Sequence, residues 1–393
     1  MTAPLDGVAG LDLDAERARV AEVLGADPSQ ELHKVRPWAT TLRVTAAGET
    51  YWFKASQPIQ AFEPTLVATL ATRWPDRLPR VLAFDAARAW LLTADAGATV
   101  GTLENAPEIW LRALPRYAEL QRGEAGHAGE HLDHGVPDLR LTVLPERYEH
   151  LLSRPLPIGA EDLARLDAFG PTFGGLVADL ATADLGESIQ HDDLHVNSVC
   201  VRGDELRVID WGDASIAHPF FSLVVTFWFL ERQNGLSPED PWFDRLRSAY
   251  LEPWASGPGH RPTQELLDVL RLAERVGLVA HAIAWVRHRD AIHRGDARLA
   301  FDVHFAELLG RVVGRAVGPS GSAGSGQSAR LQDMNWVRIG RVVRALRRRR
   351  GWRQMDLAGR AVSSQQAISL IETGHGDRTS FRTLARVLGA LDA

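Results

Sequence analysis

Cysteine and long apolar runs are almost absent from this chain of 393 residues. Its one cysteine, Cys200, excludes internal disulfide bonds and is typical of a reducing compartment. The longest apolar run, Phe220 to Leu230, contains Ser222 and Thr226 and is much shorter than the roughly 20 residues of a membrane span. Residues Met1 to Asp6 have neither a basic leader nor an apolar core, so we expect no secretory signal. We therefore expect a cytoplasmic protein that makes no membrane contact.

Lysine is also scarce: it occurs only at Lys34 and Lys54, whereas arginine occurs 42 times. A sequence with this bias is expected to have arginine wherever either cation serves, so a lysine indicates a need for a compact ammonium group. Lys54 stands out because it lies in the run Thr50–Ala55, which is typical of an aromatic β-strand. The alternative is a strand-end lysine whose stem covers apolar surface while its ammonium group reaches water.

The net charge of −6 is unevenly distributed. Residues 336–393 contain 12 arginines, no lysine and 4 acidic residues, which gives +8 against −14 for the rest of the chain. Residues 318–328 contain only glycine, serine, alanine, proline and glutamine, so we expect a flexible tether over residues 318–335. The pattern predicts an acidic body and a separate basic module that binds a polyanion.

Asp193 and Asp210 flank a stretch that is typical of a β-hairpin. The runs 198–201 and 206–209 favour strands, and the turn-forming residues 202–205 join them. Because a hairpin returns on itself, we expect both carboxylates to lie in one small space. Phosphoryl transfer needs such a pair, one to orient the attacking hydroxyl and one to hold Mg²⁺ on the nucleotide phosphates. The alternative is a polar loop that precedes an ordinary hairpin.

The register of this hairpin determines whether Asn197 or Ser198 lies opposite Asp210. Pairing residue 201 with residue 206 gathers four apolar side chains on one face, as a buried sheet requires: Val199, Val201, Leu206 and Val208. The same register places Asn197 opposite Asp210. A shift by one residue places Ser198 there and mixes polar with apolar side chains. We therefore favour Asn197 over Ser198 as the neighbour of Asp210.

The segments 191–195 (His-Asp-Asp-Leu-His) and 209–213 (Ile-Asp-Trp-Gly-Asp) resemble the catalytic signature of the aminoglycoside phosphotransferase family. Members of this family have a protein-kinase-like fold and phosphorylate small-molecule alcohols. The resemblance implies an α+β, bilobal fold, with a small β-rich N-lobe over residues 1–98 and a helical C-lobe over residues 99–317. It implies ATP and Mg²⁺ as cofactors and a small-molecule hydroxyl as acceptor, which we expect helices within residues 263–290 and 299–317 to contact.

The resemblance also implies roles for individual residues. Asp193 corresponds to the catalytic base, Asp210 to the metal-binding aspartate and Lys54 to the lysine that grips the α- and β-phosphates. Glu63, in a predicted helix over Pro58–Trp74, corresponds to the partner of this lysine; the alternative is an exposed glutamate in a first helical turn. His195 lies where kinase-like enzymes often have a cation near the transferring phosphate, and the alternative is a packed loop histidine.

Two features depart from the family's pattern. The family's second metal-binding residue is an asparagine five positions after the base, where this chain has Ser198. The hairpin register leads us to expect Asn197 as the second Mg²⁺ ligand. If neither residue serves, the body binds nucleotide without turning it over and acts as a ligand sensor in a transcriptional regulator. No glycine-rich phosphate loop precedes Lys54, and we expect the hydroxyls of Thr40 and Thr41 to take its place.

Residues 336–393 resemble a helix-turn-helix domain of the Cro/CI-like (XRE-like) repressor type, chiefly over segments 346–354 and 367–374. Ser364 can cap a helix in which Ile368 and Ile371 face inward. Three outward-facing side chains are expected to read base edges in the major groove: Gln365, Gln366 and Ser369. Three others are expected to contact phosphates: Arg353, Gln354 and Arg378.

This second resemblance implies a small all-α domain and duplex DNA as its partner. Dimers of this class read two half-sites, so we expect self-association as a homodimer to strengthen binding. The family's turn reads Ala-Gly-Val-Ser, whereas this chain has Ala-Val-Ser-Ser over residues 361–364. Losing the glycine costs little if the backbone there avoids positive φ. The alternative is a basic helical tail that binds another protein.

Overall fold

The structure is a computed structural model that describes residues 13–103, 107–237, 239–256, 261–292, 296–316, 336–373, 375 and 381–392. The chain divides into two compact units. The first consists of Met1–Leu156 and Ala160–Ala291, and the second of Pro157–Gly159 and Ile292–Ala393. The expected tether over residues 318–335 lies outside the described residues.

The first unit begins with an antiparallel five-stranded sheet in the order β1-β2-β3-β5-β4. Its strands are β1 (Ser29–Arg36), β2 (Ala39–Ala46), β3 (Glu49–Ser56), β4 (Val81–Asp85) and β5 (Trp90–Ala94). Two helices belong to this part: α1 (Leu13–Leu24) and α2 (Glu63–Arg73). The predicted strand Thr50–Ala55 lies within β3. The predicted helix Pro58–Trp74 is shorter, because Pro58–Gln60 form a separate 3₁₀ turn.

The two faces of this sheet have different surroundings. On one face Leu42 and Phe53 pack in an apolar cluster with Val20 of α1. Thr41 pairs directly with Lys54, and directly paired residues of antiparallel strands point to the same side. Because side chains alternate along a strand, Thr41 and Lys54 point away from the apolar cluster. We call the side of the sheet that carries them the cleft face.

The rest of the first unit is mainly helical. Its helices are α3 (Pro107–Glu124), α4 (Ala128–Asp133), α5 (Leu144–Leu152), α6 (Ala160–Ala181), α7 (Leu223–Gln233), α8 (Pro241–Ala255) and α9 (Thr263–Ala291). Five short strands lie among them: β6 (Ala98–Thr99), β7 (Ser188–Gln190), β8 (Val199–Arg202), β9 (Glu205–Val208) and β10 (Ser215–Ala217). They form a three-stranded sheet, β6-β8-β9, and a pair, β10-β7. The α+β class is confirmed.

The apolar run Phe220 to Leu230 is buried in this unit, as expected for a core segment. It forms a 3₁₀ turn over Pro219–Ser222 and then most of α7. Among the helices that the structure describes, none is both long and apolar enough to cross a membrane.

The second unit is helical where it is described. Its helices are α10 (Asp296–Ala316), α11 (Trp336–Arg349), α12 (Gln354–Arg360), α13 (Gln365–Glu372) and α14 (Phe381–Asp392). An apolar core joins α11 to α14, with Val343, Leu357, Ile368 and Leu388 buried in it. Val303 of α10 packs against the same core, so α10 groups with the C-terminal helices and not with the helices of the first unit.

Candidate functional site

The hairpin that leads to Asp210 has the predicted register. Val201 pairs with Leu206, and the pairing continues through Val199 and Val208. Beyond the strands, the Ile209 amide donates to the Ser198 carbonyl at 2.9 Å, which extends the same register towards Asp210. The segment 191–198, which we call the catalytic loop, and Asp210 therefore lie at the same end of this hairpin.

Hydrogen bonds from three directions fix the catalytic loop. The His191 amide donates to the Tyr117 hydroxyl of α3 at 3.0 Å. The Thr226 hydroxyl of α7 donates to the Leu194 carbonyl at 2.8 Å. The His191 ring lies 2.8 Å from the Ile209 carbonyl through Nε2. Burial lowers the pKa of His191, so the ring stays neutral and serves as a structural link between the loop and the end of the hairpin.

His195 contacts the carboxylate of Asp193. Its Nδ1 accepts a hydrogen bond from the Asn197 amide at 3.0 Å, which leaves Nε2 as the protonated nitrogen. This Nε2 lies 3.3 Å from Oδ2 of Asp193, and the ring packs 4.3 Å from that of Phe229, between centroids. Burial opposes the charge of the imidazolium, but Asp193 outweighs it and raises the pKa of His195. The geometry suits a residue that holds the Asp193 carboxylate in one orientation.

Lys54 lies between two carboxylates from distant parts of the chain. Its Nζ donates to Oε1 of Glu63 at 2.8 Å and also to Oδ1 of Asp210. Glu63 is 1% exposed and accepts a further hydrogen bond from the Ser56 hydroxyl at 3.2 Å. The alternative of an exposed first-turn glutamate is therefore wrong: Glu63 begins α2, but this end of the helix is buried.

Lys54, Asp210 and Glu63 differ in how far the surroundings stabilise their charged forms. Burial disfavours the charge of Lys54, but Asp210 and Glu63 outweigh it and raise the pKa of the ammonium group. The Lys54 charge lowers the pKa of Asp210, whose side chain is 53% exposed. Burial raises the pKa of Glu63. Asp210 is thus the ionised, accessible carboxylate of the group, whereas Glu63 is the buried carboxylate that holds Lys54 in place.

Asp210 also adopts an uncommon backbone conformation. Its φ of 65° and ψ of 59° lie in the left-handed region, which costs energy for any residue with a Cβ. Residues held in such regions cluster at functional sites, where surrounding contacts fix them. The turn after β9 directs the carboxylate towards Lys54 in this way.

The two candidates for the second metal ligand differ in their surroundings. Ser198 is buried, and its hydroxyl donates to the Asp193 carbonyl at 2.9 Å and accepts from the His195 amide at 2.8 Å. Asn197 is exposed, and its side-chain oxygen lies so close to Gly101 that a Cβ there would meet it at 2.2 Å. The Ser198 hydroxyl is occupied within the catalytic loop, whereas the Asn197 side chain lies beside the 3₁₀ turn Val100–Thr102.

Asp213, the last residue of the 209–213 motif, has partners that the sequence did not indicate. Asp213 lies 2.5 Å from Nε2 of His288 in α9 and accepts from the Gln60 amide at 3.2 Å. Gln60 packs against Gly212, where a Cβ would approach its side chain to 2.4 Å. Arg287 donates to the Gly212 carbonyl at 3.4 Å. No spacing in the sequence indicated that α9 supplies these partners, because they depend on the tertiary fold.

In the second unit, α13 has the predicted buried face and the predicted outward face. Ser364 caps the helix by accepting from the Ala367 amide at 3.1 Å, and Ile368 and Ile371 are fully buried. Of the three expected base readers, Gln365 and Gln366 are exposed and Ser369 is half-buried.

The residues expected to contact phosphate differ in exposure. Arg353 is exposed at the start of α12. The Gln354 amide donates to the buried Glu372 carboxylate at 3.0 Å, and Arg347 pairs with the same carboxylate at 2.5 Å. Gln354 is therefore engaged inside the domain. Arg378 lies outside the described residues.

The turn before α13 does not avoid positive φ. Val362, which stands where the related turn has glycine, has φ of 45° and is 75% exposed. A β-branched residue in this region is strained. We expected the loss of glycine to cost little only if this turn avoids positive φ. Because φ is positive at Val362, the loss is costly.

Comparison with known proteins identifies both parts of the chain. Residues 24–266 match the model of the phosphotransferase enzyme family, and residues 338–393 match the model of a helix-turn-helix domain. No curated protein matches the chain.

Solved structures share the fold of the first part. A choline/ethanolamine kinase family protein from Mesorhizobium loti is 15% identical, with a TM-score of 0.52 over 78% of this chain and 99% of that one. A choline kinase from Streptococcus pneumoniae is 12% identical, with a TM-score of 0.52 over 76% and 99%. A Plasmodium vivax ethanolamine kinase is 12% identical, with a TM-score of 0.54 over 75% and 84%. The chain belongs to the phosphotransferase enzyme family and ends in a helix-turn-helix domain.

Proposed function

We propose that the first unit transfers the γ-phosphoryl group of ATP to a hydroxyl group of a small molecule. The observation that supports this most is the contact of Lys54 with both Glu63 and Asp210, beside the catalytic loop of Asp193. These four residues come from β3, the start of α2 and the two chain segments that enter and leave one hairpin. Phosphoryl transfer depends on positioning and on charges of both signs around the phosphates, and this group offers both.

Each residue of the group has a distinct part in the proposal. Asp193 accepts the proton of the acceptor hydroxyl, and His195 holds its carboxylate through Nε2. Lys54 binds the α- and β-phosphates as a compact cation, and Glu63 keeps it aligned with the cleft face. A phosphate bound to Lys54 in place of Asp210 would leave the Asp210 carboxylate free to hold a metal ion.

The donor atoms near Asp210 fit Mg²⁺. This ion prefers oxygen ligands and is usually held by one or two carboxylates together with substrate phosphates. Asp210 offers an exposed, ionised carboxylate, and we propose the Asn197 side-chain oxygen as the second protein ligand in preference to Ser198. When bound, the metal neutralises charge that develops on the phosphates.

The acceptor can be identified with a panel of alcohols. The structural neighbours are named as kinases of choline and ethanolamine, and the chain's motif resembles that of aminoglycoside phosphotransferases. We expect purified protein with ATP and Mg²⁺ to form ADP only when the correct acceptor from these classes is present. Mass spectrometry of the acceptor should then show one added phosphoryl group, and an Asp193→Asn variant should give none.

A second candidate function is a ligand-sensing transcriptional regulator. It is favoured by Ser198, which occupies the family's asparagine position and has its hydroxyl engaged with loop backbone. Under this alternative the first unit binds nucleotide, no acceptor on the panel is phosphorylated, and nucleotide changes DNA binding instead.

For the second unit we propose sequence-dependent binding to duplex DNA. The support is the +8 charge of residues 336–393 together with the exposed Gln365 and Gln366 on a capped helix. Selection from a random duplex library with the full chain tests this proposal: enrichment of a recurring sequence is the expected result.

A further inference from the structure

The second lysine of the chain, Lys34, has no part in the function proposed above. It lies on β1, an edge strand that the sequence pattern did not reveal. Lys34 pairs with Thr41 of β2, and Thr41 pairs with Lys54 of β3. The three residues therefore form one row across three strands. With strands roughly 4.8 Å apart, the two lysines start roughly 10 Å apart on the same sheet.

A β-bulge determines the side on which Lys34 points. Leu32 pairs with Leu42 and Lys34 with Thr41, so His33 is an extra residue between two consecutive pairs. In a regular strand residues two apart share a face, and Leu32 and Lys34 would point the same way. The bulge places them on opposite faces instead. Leu32 shares the face of Leu42, whereas Lys34 shares the cleft face with Lys54.

The bulge residue itself packs on the same side of the sheet. The His33 ring lies edge-on to that of Trp52, with 4.8 Å between the ring centroids. Trp52 pairs with Arg43, two pairs along the same hairpin from the pair of Thr41 and Lys54, and therefore lies on the cleft face. Bulges are common next to active sites, where they direct a side chain.

Lys34 lies among the charges of the proposed site. Desolvation and the neighbouring Arg36 lower the pKa of Lys34, whereas Asp210 and Asp193 act in the opposite direction. Lys54 is held instead by Asp210 and Glu63. Lys34 is thus within electrostatic reach of both carboxylates of the proposed site, Asp210 and Asp193. In the proposed function the terminal phosphate meets the acceptor between these two carboxylates.

We propose that Lys34 binds the γ-phosphate of ATP, as a second cation on the cleft face that acts together with Lys54. This inference rests on the proposed use of ATP by the first unit. It also explains why a chain so rich in arginine has lysine at two positions: both face phosphate from neighbouring strands, where a compact ammonium group fits more closely than a guanidinium. Thr41, between them in the row, leaves room for the phosphates because its side chain is short.

The test compares the affinities of the full chain for ATP and ADP, in the presence of Mg²⁺, by titration calorimetry. We expect Lys34→Met to weaken ATP binding by about tenfold, as for loss of one hydrogen bond to a charged group, and to leave ADP binding almost unchanged. Lys34→Arg should retain part of the preference for ATP. Arg43→Met is the matched control, because it removes an exposed cation from the cleft face of β2 away from Lys34, and its nucleotide affinities should equal those of the wild type.

The outcomes separate this inference from the function on which it rests. If the wild type binds both nucleotides, either of two results for Lys34→Met overturns the role of Lys34 alone. The variant binds ATP as well as the wild type does, or it loses affinity for ATP and ADP to the same extent. Wild-type protein that binds neither nucleotide overturns the proposed function as well. Thermal unfolding of the variants checks the fold, and a substitution on an exposed edge strand should change stability by less than about 0.5 kcal/mol.

Discussion

Asp192, next to the proposed base, has surroundings unlike those of Asp193. It is buried and accepts a hydrogen bond from the Ser215 hydroxyl. Burial raises the pKa of Asp192 from 3.8 to about 6. An acid with a raised pKa stabilises the fold only while it is protonated. Its contribution to the free energy of unfolding is complete below about pH 4 and is lost as the pH rises to about 6.

Replacing Asp192 by asparagine, a neutral group of the same shape, should remove this loss. We expect Asp192→Asn to be more stable than the wild type at neutral pH, by at most about 3 kcal/mol, with the difference disappearing below about pH 4. Urea unfolding across this range measures it. Asp133→Asn, at an exposed position in α4, serves as control and should follow the wild type. Parallel stability curves for Asp192→Asn and wild type would contradict the prediction.

Asn197 and Ser198 can be distinguished by their separate effects. Ser198→Ala removes a buried hydroxyl that bonds the backbone of Asp193 and His195, so we expect it to destabilise the fold by about 1–3 kcal/mol and slow transfer. The Mg²⁺ concentration needed for nucleotide binding should stay the same. Asn197→Ala should raise that concentration and leave stability nearly unchanged. The reverse ranking in a Mg²⁺ titration would make Ser198 the metal ligand.

At the level of the elements, local patterns predicted the hairpin of the site but not the strand that adds Lys34. The hairpin register followed from Val199, Val201, Leu206 and Val208, since burial of one apolar face fixes the pairing. β1 lacks such a pattern because most of its side chains are exposed, and its bulge breaks the alternation. Contacts from α9, such as that of His288 with Asp213, depend on long-range packing that no local pattern encodes.

The strained turn before α13 offers a test of the second unit. Val362→Gly should stabilise this domain by about 1 kcal/mol, because glycine adopts positive φ without a Cβ penalty. Hydrogen exchange of the amides of α11 and α12 reports the stability of the domain within the full chain. Ala361→Gly is the matched control: Ala361 is buried with φ of −82°, so that variant should be less stable. Slower exchange in Ala361→Gly than in Val362→Gly would contradict the account of the strain.

For the whole molecule, the division of charge separates two kinds of binding. Duplex binding through the +8 segment should weaken steeply with salt, since each neutralised phosphate releases about 0.9 counterion. We expect Arg353→Ala to weaken binding to all duplexes alike and to reduce the salt slope by about 1. Gln365→Ala should instead relax the preference for the selected sequence, at a cost of about 1–3 kcal/mol. Fluorescence anisotropy with selected and scrambled duplexes measures both effects.

Self-association bears on the strength of this binding. One helix-turn-helix module buries little surface on DNA, whereas a dimer reads two half-sites. We expect the affinity of the full chain for the selected sequence to rise with any self-association detected by sedimentation. Failure of the intact chain to bind any duplex at low salt would contradict the DNA assignment and favour a basic tail that binds another protein.

The central claim is that Asp193 acts in the transfer step while Lys54 and Asp210 hold the nucleotide. The most direct measurement compares ATP binding and phosphoryl transfer in wild type, Asp193→Asn and Asp210→Ala, with the acceptor found on the panel. We predict that Asp193→Asn binds ATP with nearly wild-type affinity but transfers no phosphoryl group, and that Asp210→Ala loses Mg²⁺-dependent ATP binding. Transfer at the wild-type rate by Asp193→Asn would contradict the assignment of the base and with it the proposed function of the site.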